Sequence, residues 1–166
     1  MINLKTTREL RYMRDAGKIS QEALLKAGEA VRPGVSTLEL DKIVRRTIEK
    51  AGAVPSFLGY GGFPASACIS VNNVVIHGIP SAHEILKEGD IVSIDVGAIY
   101  EGFNGDNAWT FPCGKVSEEA QKLMDATRES LFLAIEKAVP GNRIGDIGSA
   151  VQQYVEARNR SEERRV

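Results

Sequence analysis

Apolar residues recur at helical spacing near the start of the chain, and two capping signals divide that stretch into two helices. The first predicted helix opens on Thr6-x-x-Glu9, the spacing of a capping box, and ends near the VRPG segment. The second opens on Ser36-x-x-Glu39, and Gly52 is placed to stop it. Both helices are amphipathic, so we expect them to form one layer over a common core.

The middle of the chain has a different pattern, rich in β-branched and aromatic residues. After the Gly-rich stretch GYGGFP come four such segments: ACISV, VVIHGIP, DIVSIDVGAIY and FNGDNAWTF. They predict an antiparallel sheet, with Asn72 and Asn73 as turn residues between the first two and with Trp109 in the core. A further helix is predicted from Ser117 to about Ala138. The whole pattern predicts an α+β fold, an antiparallel sheet covered by helices.

An internal repeat relates the two ends of this pattern. The segment VPGNRIGDIGSAVQQYVEA matches VRPGVSTLELDKIVRRTIEKA at an offset of 107 positions, which pairs Pro33 with Pro140 and Gly34 with Gly141. Each copy also follows an amphipathic helix in the same order, which indicates a duplicated unit. Chance similarity between two helices that follow Pro-Gly turns is the alternative.

The repeat defines the expected domain organisation. We predict one domain over 1–157, with a first repeat of about 1–115 (helix, helix, sheet) and a partial second repeat of about 116–157 that lacks its sheet. Residues 158–166 include four arginines and no apolar periodicity. They are expected to form a charged, disordered tail.

Composition excludes few function classes. Hydrophobic residues make up 43% of the chain and the formal net charge is −1, so no broad cationic field favours nucleic acid or an anionic membrane. No apolar run reaches the roughly 18 to 20 residues that span a bilayer, and the N-terminus has no secretory pattern, so the cytoplasm is the expected location. Cys68 and Cys113 have no paired spacing and are expected to be reduced.

Two aspartates lie inside the predicted sheet, in SIDVGAIYEGFNGDNAWTF. A bend at residues 100–102 would place Asp95 and Asp106 directly opposite or one diagonal step apart on paired strands. Two ionised carboxylates so close destabilise a sheet unless a proton or a cation lies between them, which points to a divalent metal site. The structural alternative is that Asp95 caps a bulge and Asp106 caps the turn Gly105-Asp106-Asn107.

Other residues are candidates for the same site. His77 precedes a Gly and a Pro, so it is either a structural hydrogen-bonding residue or a donor to a carbonyl oxygen that gains charge during acyl transfer. Tyr60 and Phe63, with Cys68, either wall an apolar pocket beside the aspartates or pack in the ordinary way. The stretch GYGGFP lacks the Gly-Lys-Ser/Thr ending of a phosphate-binding loop. His83, in a polar stretch, is expected on a surface loop.

Three segments of the chain resemble one enzyme family. GYGGFPASACISVNNVVIHGIP, EGDIVSIDVGAIYEGFNGDNAWTF and KAVPGNRIGDIG are similar to the type I methionine aminopeptidases in order and spacing, and the similarity extends over about residues 1–157. The resemblance implies the pita-bread fold, a pseudo-two-fold pair of αβ units, in agreement with the internal repeat. It also implies a metal-dependent hydrolase that removes initiator methionine from nascent proteins through a metal-activated water.

The resemblance implies roles for individual residues. Asp95 and Asp106 match metal ligands, and His77 matches a histidine that contacts the substrate peptide and stabilises the developing oxyanion. The remaining matches are to the methionine side-chain pocket (Tyr60, Phe63 and Cys68) and to a monovalent-cation loop (Asn72 and Val74). The implied cofactors are two divalent ions, with Co, Mn, Fe, Zn and Ni as candidates. The implied partners are N-terminal Met peptides of nascent chains, with the ribosome as a candidate.

The resemblance does not supply the rest of the site. The family's other ligands, one His and two Glu, and its second catalytic His have no match in this sequence. We therefore expect a chain whose second unit is truncated, which binds divalent metal weakly or partially and is inactive alone. Its exposed half-fold surface is a candidate for self-association.

Two other function classes remain open beside a metalloaminopeptidase. One is a non-catalytic peptide- or protein-binding module of the same fold, although such a module has no need of the mutually repelling carboxylates of Asp95 and Asp106. The other is nucleic-acid binding through the arginine-rich tail, which two glutamates interrupt and which has no interleaved aromatic residue.

Overall fold

The structure, a computed structural model, describes residues 4–161. The chain divides into two compact units, with the boundary between Val116 and Ser117. The first unit contains two helices and four strands: α1 (Thr7–Glu29), α2 (Thr37–Lys50), β1 (Val54–Pro55), β2 (Ala67–Val71), β3 (Ile91–Tyr100) and β4 (Phe103–Pro112). The second contains α3 (Glu118–Lys137) and α4 (Ile144–Glu156). Over residues 4–161, none of the helices has the length and apolar character needed to cross a bilayer.

The first two helices begin at their predicted caps. The Thr6 hydroxyl accepts a hydrogen bond from the Glu9 backbone N–H (3.3 Å), and Glu9 Oε2 accepts one from the Thr6 N–H (2.7 Å). Ser36 and Glu39 make the same reciprocal pair at the start of α2, and Gly52 follows its end with a φ of 73°. These contacts satisfy backbone groups that helix termini otherwise leave without partners, which is why local sequence located both helices.

The central strand of the antiparallel sheet is β3. One edge of β3 pairs with β4 along its whole length, and the other edge pairs with β2 and then with β1. The β3–β4 hairpin is closed by Glu101 and Gly102, whose φ angles of 50° and 80° are typical of a tight two-residue turn. The bend expected at residues 100–102 is therefore confirmed.

The segment VVIHGIP is not a strand, so that prediction was wrong. Asn72 turns the chain out of β2 with a φ of 53°, and the residues that follow form a loop in which Val75 is 84% exposed and Ile76 is 55% exposed. Their β-branched side chains fit a strand, but no neighbouring strand in the described part of the chain pairs with them.

Alternation along β3 separates two faces of the sheet. One face packs against apolar residues of α1 and α2, and its β3 side chains are fully buried: Val92, Ile94, Val96 and Ala98. The other face carries Asp95. Trp109 is 40% exposed rather than in the core as expected, because it belongs to β4, whose outer edge has no partner strand among the described residues.

Helix α1 approaches the backbone of β4 very closely at Gly105. A Cβ at this position would overlap the backbone of Ala16 and Gly17. Beside this contact, Asn107 Nδ2 donates hydrogen bonds to the Gly17 carbonyl (3.0 Å) and to Ser20 Oγ (2.6 Å). Backbone packing thus fixes the distance between α1 and the hairpin that carries both aspartates.

A buried carboxylate joins α2 to the start of β2. Asp41 is 7% exposed, and its Oδ1 accepts hydrogen bonds from the N–H groups of Ser66 (2.8 Å) and Ala67 (3.0 Å). Asp41→Ala is expected to lower the free energy of unfolding by about 2–4 kcal/mol, because two buried N–H groups lose their acceptor. Asp41→Asn keeps an acceptor oxygen and should lose less than half as much. Urea denaturation followed by Trp109 fluorescence measures both; equal losses would contradict this role.

The second unit begins its last helix in the way the repeat suggests. Gly141 and Gly34 both have left-handed backbones, with φ angles of 95° and 90°. Asp146 Oδ2 accepts a hydrogen bond from the Arg143 N–H (2.7 Å), as an acidic side chain also does at the start of α2. The duplication itself stays a prediction. Residues 162–166 of the predicted tail lie outside the described residues.

Candidate metal and substrate site

The two aspartates lie one diagonal step apart on the same face of the β3–β4 hairpin. Asp95 is opposite Ala108, and Asp106 is opposite Gly97. Residues two apart on a strand share a face, so both carboxylates project to the side that is not packed on α1 and α2. On the other edge of β3, the buried Cys68 of β2 is opposite Asp95 and joins the same face.

Asp95 has an unfavourable environment for a free carboxylate. Its Oδ1 is buried and has no hydrogen-bond partner among the described residues. Burial raises the pKa of Asp95 to about 6, assisted by the negative charge of Asp106 and by the ability of Asp106 to accept the proton of neutral Asp95. The charge of His77 lowers the pKa of Asp95. A buried, unpartnered carboxylate oxygen beside a second carboxylate fits a divalent cation with oxygen ligands.

The Cys68 thiol is a poor nucleophile in this setting. Burial raises its pKa to about 11, and the charges of Asp95 and Asp106 add to the effect. The thiol is therefore neutral at pH 7 and contributes an apolar surface beside the carboxylates.

The described part of the chain supplies an incomplete metal site. Within residues 4–161, no group of three or more His, Cys, Asp or Glu side chains is placed to hold a metal ion. Two carboxylates leave several coordination positions to water or to other donors, which favours weak binding.

His77 lies on the exposed loop that follows β2. Its effect on the pKa of Asp95 shows that the imidazole is within electrostatic reach of the carboxylates. It has a left-handed backbone with a φ of 58°. His83, by contrast, lies on an exposed surface loop, as expected.

The Gly-rich stretch forms a compact turn that leaves the Tyr60 ring exposed. Tyr60–Gly62 is a single 3₁₀ turn, and the Phe63 N–H donates to the Tyr60 carbonyl (2.9 Å). Phe63 is half-buried, whereas Tyr60 is 81% exposed, so most of its ring faces solvent. The role of this stretch in substrate binding stays a prediction.

Phe57 covers the carboxylate face more closely, and sequence reasoning missed it. A Cβ at Gly97 would lie 2.7 Å from Cε1 of the Phe57 ring and would overlap Ser56 Oγ. Since Gly97 is opposite Asp106, the Phe57 ring borders the site. The available signal was Gly97 itself, because glycine inside a strand often marks the close approach of another group.

Asn72 closes the end of the β2–β3 pair. Its Oδ1 accepts a hydrogen bond from the Ile91 N–H (3.1 Å), and its Nδ2 donates to Asp90 Oδ1 (2.9 Å). The Val74 N–H donates to the Val71 carbonyl (3.1 Å). A monovalent cation at this loop stays a prediction, and backbone carbonyls are its natural ligands because the Asn72 amide is already hydrogen-bonded.

Metal-free stability is expected to fall as pH rises through the Asp95 titration. The folded-state pKa of about 6 exceeds the ordinary value of 3.8, so the folded state holds a proton that the unfolded state has lost. This contribution to the free energy of unfolding is fully present below pH 4 and is lost as pH rises past 6. Its expected size, reduced by solvent screening, is about 1–2 kcal/mol. Urea denaturation between pH 4 and 7.5 measures this slope. The slope should shrink in Asp95→Asn, and an unchanged slope would contradict the assignment.

Comparison with known proteins gives a consistent result. A model of metallopeptidase family M24 matches residues 11–164. The chain is 54% identical over 157 residues to the methionine aminopeptidase of Clostridium acetobutylicum, covering 95% of this chain and 63% of the relative. It is 49% identical over 156 residues to methionine aminopeptidase 1 of Bacillus subtilis, covering 94% and 62%. The chain thus spans less than two thirds of the length of these relatives.

Solved structures share the same fold. The crystal structure of methionine aminopeptidase from Rickettsia prowazekii superposes with a TM-score of 0.94 at 40% identity, covering 97% of this chain and 64% of that one. Prolidase from Pyrococcus furiosus superposes with a TM-score of 0.83 at 25% identity, covering 93% and 44%.

Proposed function

Because the chain belongs to metallopeptidase family M24, we propose that it serves in the removal of initiator methionine from nascent proteins. The predicted pita-bread fold is confirmed by the solved structures that this chain resembles. The observation that carries the proposal is the carboxylate pair of Asp95 and Asp106 on one sheet face, with Asp95 Oδ1 buried and unpartnered among the described residues.

The residues of this face have complementary proposed roles. Asp95 and Asp106 hold divalent metal, with Co, Mn, Fe, Zn and Ni as candidates for two ions. When bound, the metal supplies a Lewis acid for the scissile carbonyl and lowers the pKa of water. His77 contacts the peptide and donates a hydrogen bond to the carbonyl oxygen as its charge develops. The side chains proposed to contact the substrate methionine are Phe57, Tyr60, Phe63 and Cys68.

The proposal also covers location and partners. The substrates are the N-terminal Met peptides of nascent chains, encountered in the cytoplasm with the ribosome as a candidate partner. A monovalent cation is assigned to the loop of Asn72 and Val74. We expect the 166-residue chain alone to bind Mn²⁺ with a Kd of about 100 μM or weaker, because two carboxylates form an incomplete cage. Cleavage of Met-Gly peptides by this chain alone should be negligible.

Peptide binding in the presence of Mn²⁺ tests the proposal without requiring turnover. The probes are a Met-Gly-Ser tripeptide and its N-acetylated form, titrated calorimetrically with and without saturating Mn²⁺. We expect Mn²⁺ to strengthen binding of the free-amine peptide and to have no such effect on the acetylated one. Peptide affinity that is the same with and without Mn²⁺, or no Mn²⁺ binding at all, would contradict the proposal.

A non-catalytic peptide-binding module is the second candidate. Such a module needs no complete metal cage. It predicts peptide binding that is the same with and without Mn²⁺ and unaffected by Asp95→Asn. The same titrations therefore separate the two functions.

A further inference from the structure

The backbone of His77 has a conformation that needs support from its surroundings. Its φ of 58° lies in the left-handed region, which residues other than glycine seldom adopt. Such a conformation persists only where neighbouring contacts hold it. The loop itself offers little support, because residues 72–77 are exposed.

The contacts that hold this loop come from β2. The Ile69 N–H donates a hydrogen bond to the Gly78 carbonyl (2.9 Å), and the Gly78 N–H donates one to Ser70 Oγ (3.1 Å). Among the described residues, Ser70 is the only one whose side chain hydrogen-bonds to segment 73–79. Ser70 is itself buried, at 5% exposure.

The approach of Gly78 to β2 leaves no space for a side chain. A Cβ at Gly78 would lie 2.7 Å from the Ile69 carbonyl carbon and 2.9 Å from Ser70 Cα. The loop therefore returns to β2 with its backbone in direct contact with the strand. This contact occurs one residue after His77.

The hydrogen bond to Ser70 acts on His77 through a shared peptide group. The donating N–H belongs to the peptide bond that joins His77 to Gly78, so the Ser70 hydroxyl restrains the ψ angle of His77. Ser70 is two residues from Cys68 and opposite Ser93, on the sheet face that carries the carboxylates. We propose that Ser70 is a positioning residue, which holds the imidazole of His77 over the face of Asp95 through its hydrogen bond to the Gly78 N–H.

The functional value of the hydrogen bond between Gly78 and Ser70 rests on the role proposed above for His77. The hydrogen bond itself does not depend on that role. A group that stabilises an oxyanion must be placed before the charge develops, so a fixed backbone at His77 serves that role.

The two histidines of the chain make the proposal testable by NMR. His83 lies on a separate exposed loop and serves as an internal reference for His77. The measurements are the imidazole resonances at a fixed pH in metal-free protein, assigned with His77→Gln, and the hydrogen exchange of the Gly78 amide. The variants are Ser70→Ala, the hydroxyl-retaining Ser70→Thr, and Ser93→Ala as a matched control on the same face, where the Ser93 hydroxyl bonds to Thr110 instead.

We expect Ser70→Ala to move the His77 resonances toward those of a free imidazole and to speed Gly78 exchange about tenfold. His83 should not change, Ser70→Thr should restore both signals, and Ser93→Ala should alter neither. The proposal is overturned if Ser70→Ala leaves both signals as in the wild type, or if Ser93→Ala changes them equally. If Ser70→Ala fails to fold, hydrogen exchange in the wild type still tests the proposal. A Gly78 amide that exchanges as fast as an unprotected one would show that its hydrogen bond to Ser70 is absent. None of these measurements needs metal or peptide, so they can fail independently of the proposed function.

Discussion

Replacing both Asp95 and Asp106 with asparagine is expected to abolish Mn²⁺ binding and, in metal-free protein at pH 7.5, to raise the free energy of unfolding by about 1–2 kcal/mol. The two carboxylates share one face, and burial and mutual repulsion disfavour the ionised state of Asp95. Asparagine removes the charges while keeping nearly the same shape. Without metal the change relieves repulsion, and with metal it removes both ligands. Calorimetric titration and urea denaturation measure the two effects.

A charge-matched double variant separates this effect from a change in net charge. Glu136→Gln with Asp125→Asn removes two negative charges from α3, which belongs to the second compact unit. This control should bind Mn²⁺ like the wild type and leave the free energy of unfolding nearly unchanged. If the metal-free Asp95/Asp106 variant is less stable than the wild type, the carboxylates stabilise the sheet, and the electrostatic basis of the site is wrong.

Gly105→Ala is expected to destabilise the first unit by about 3 kcal/mol or more, because the added methyl group would overlap the backbone of Ala16 and Gly17. Backbone cannot rotate away as a side chain can, so α1 would have to move off β4. That movement would also break the hydrogen bonds from Asn107 to α1. Thermal and urea denaturation, followed by circular dichroism, measure the loss.

Gly17→Ala provides the matched control for this substitution. Gly17 lies in α1, and a Cβ there meets nothing within 4 Å. Alanine at this half-buried helical position, where the methyl group has free space, should stabilise the protein by about 0.5–1 kcal/mol through its higher helix propensity. An added methyl group is thus expected to destabilise the protein on the β4 side of this contact and to stabilise it on the α1 side. If Gly105→Ala is as harmless as Gly17→Ala, the close packing of α1 on β4 is not present in solution.

Much of the fold could be predicted because its signals are local. The caps at Thr6 and Ser36 lie within three residues of the groups they bond, and the tight turn at Glu101 and Gly102 lies between its own two strands. Given that turn, strand periodicity alone placed Asp95 and Asp106 on a common face, either opposite or one diagonal step apart.

The loop beyond β2 could not be predicted in the same way. Val75 and Ile76 are β-branched and fit a strand, yet strand formation needs a partner edge at the right distance. The 81% exposure of Tyr60 could likewise not be predicted, because it depends on which segments pack beside the Gly-rich turn.

The sequence by itself determined the first two helices, the antiparallel hairpin and the shared face of the two carboxylates, because helix caps, tight turns and strand alternation depend on residues near one another in the chain. Only the tertiary structure decided the surroundings of that face. The Phe57 ring over Gly97, the return of Gly78 to Ser70 and the burial of Asp95 Oδ1 each depend on how segments distant along the chain approach one another. Such approaches are set by the packing of the whole sheet and its helices, which no local pattern records.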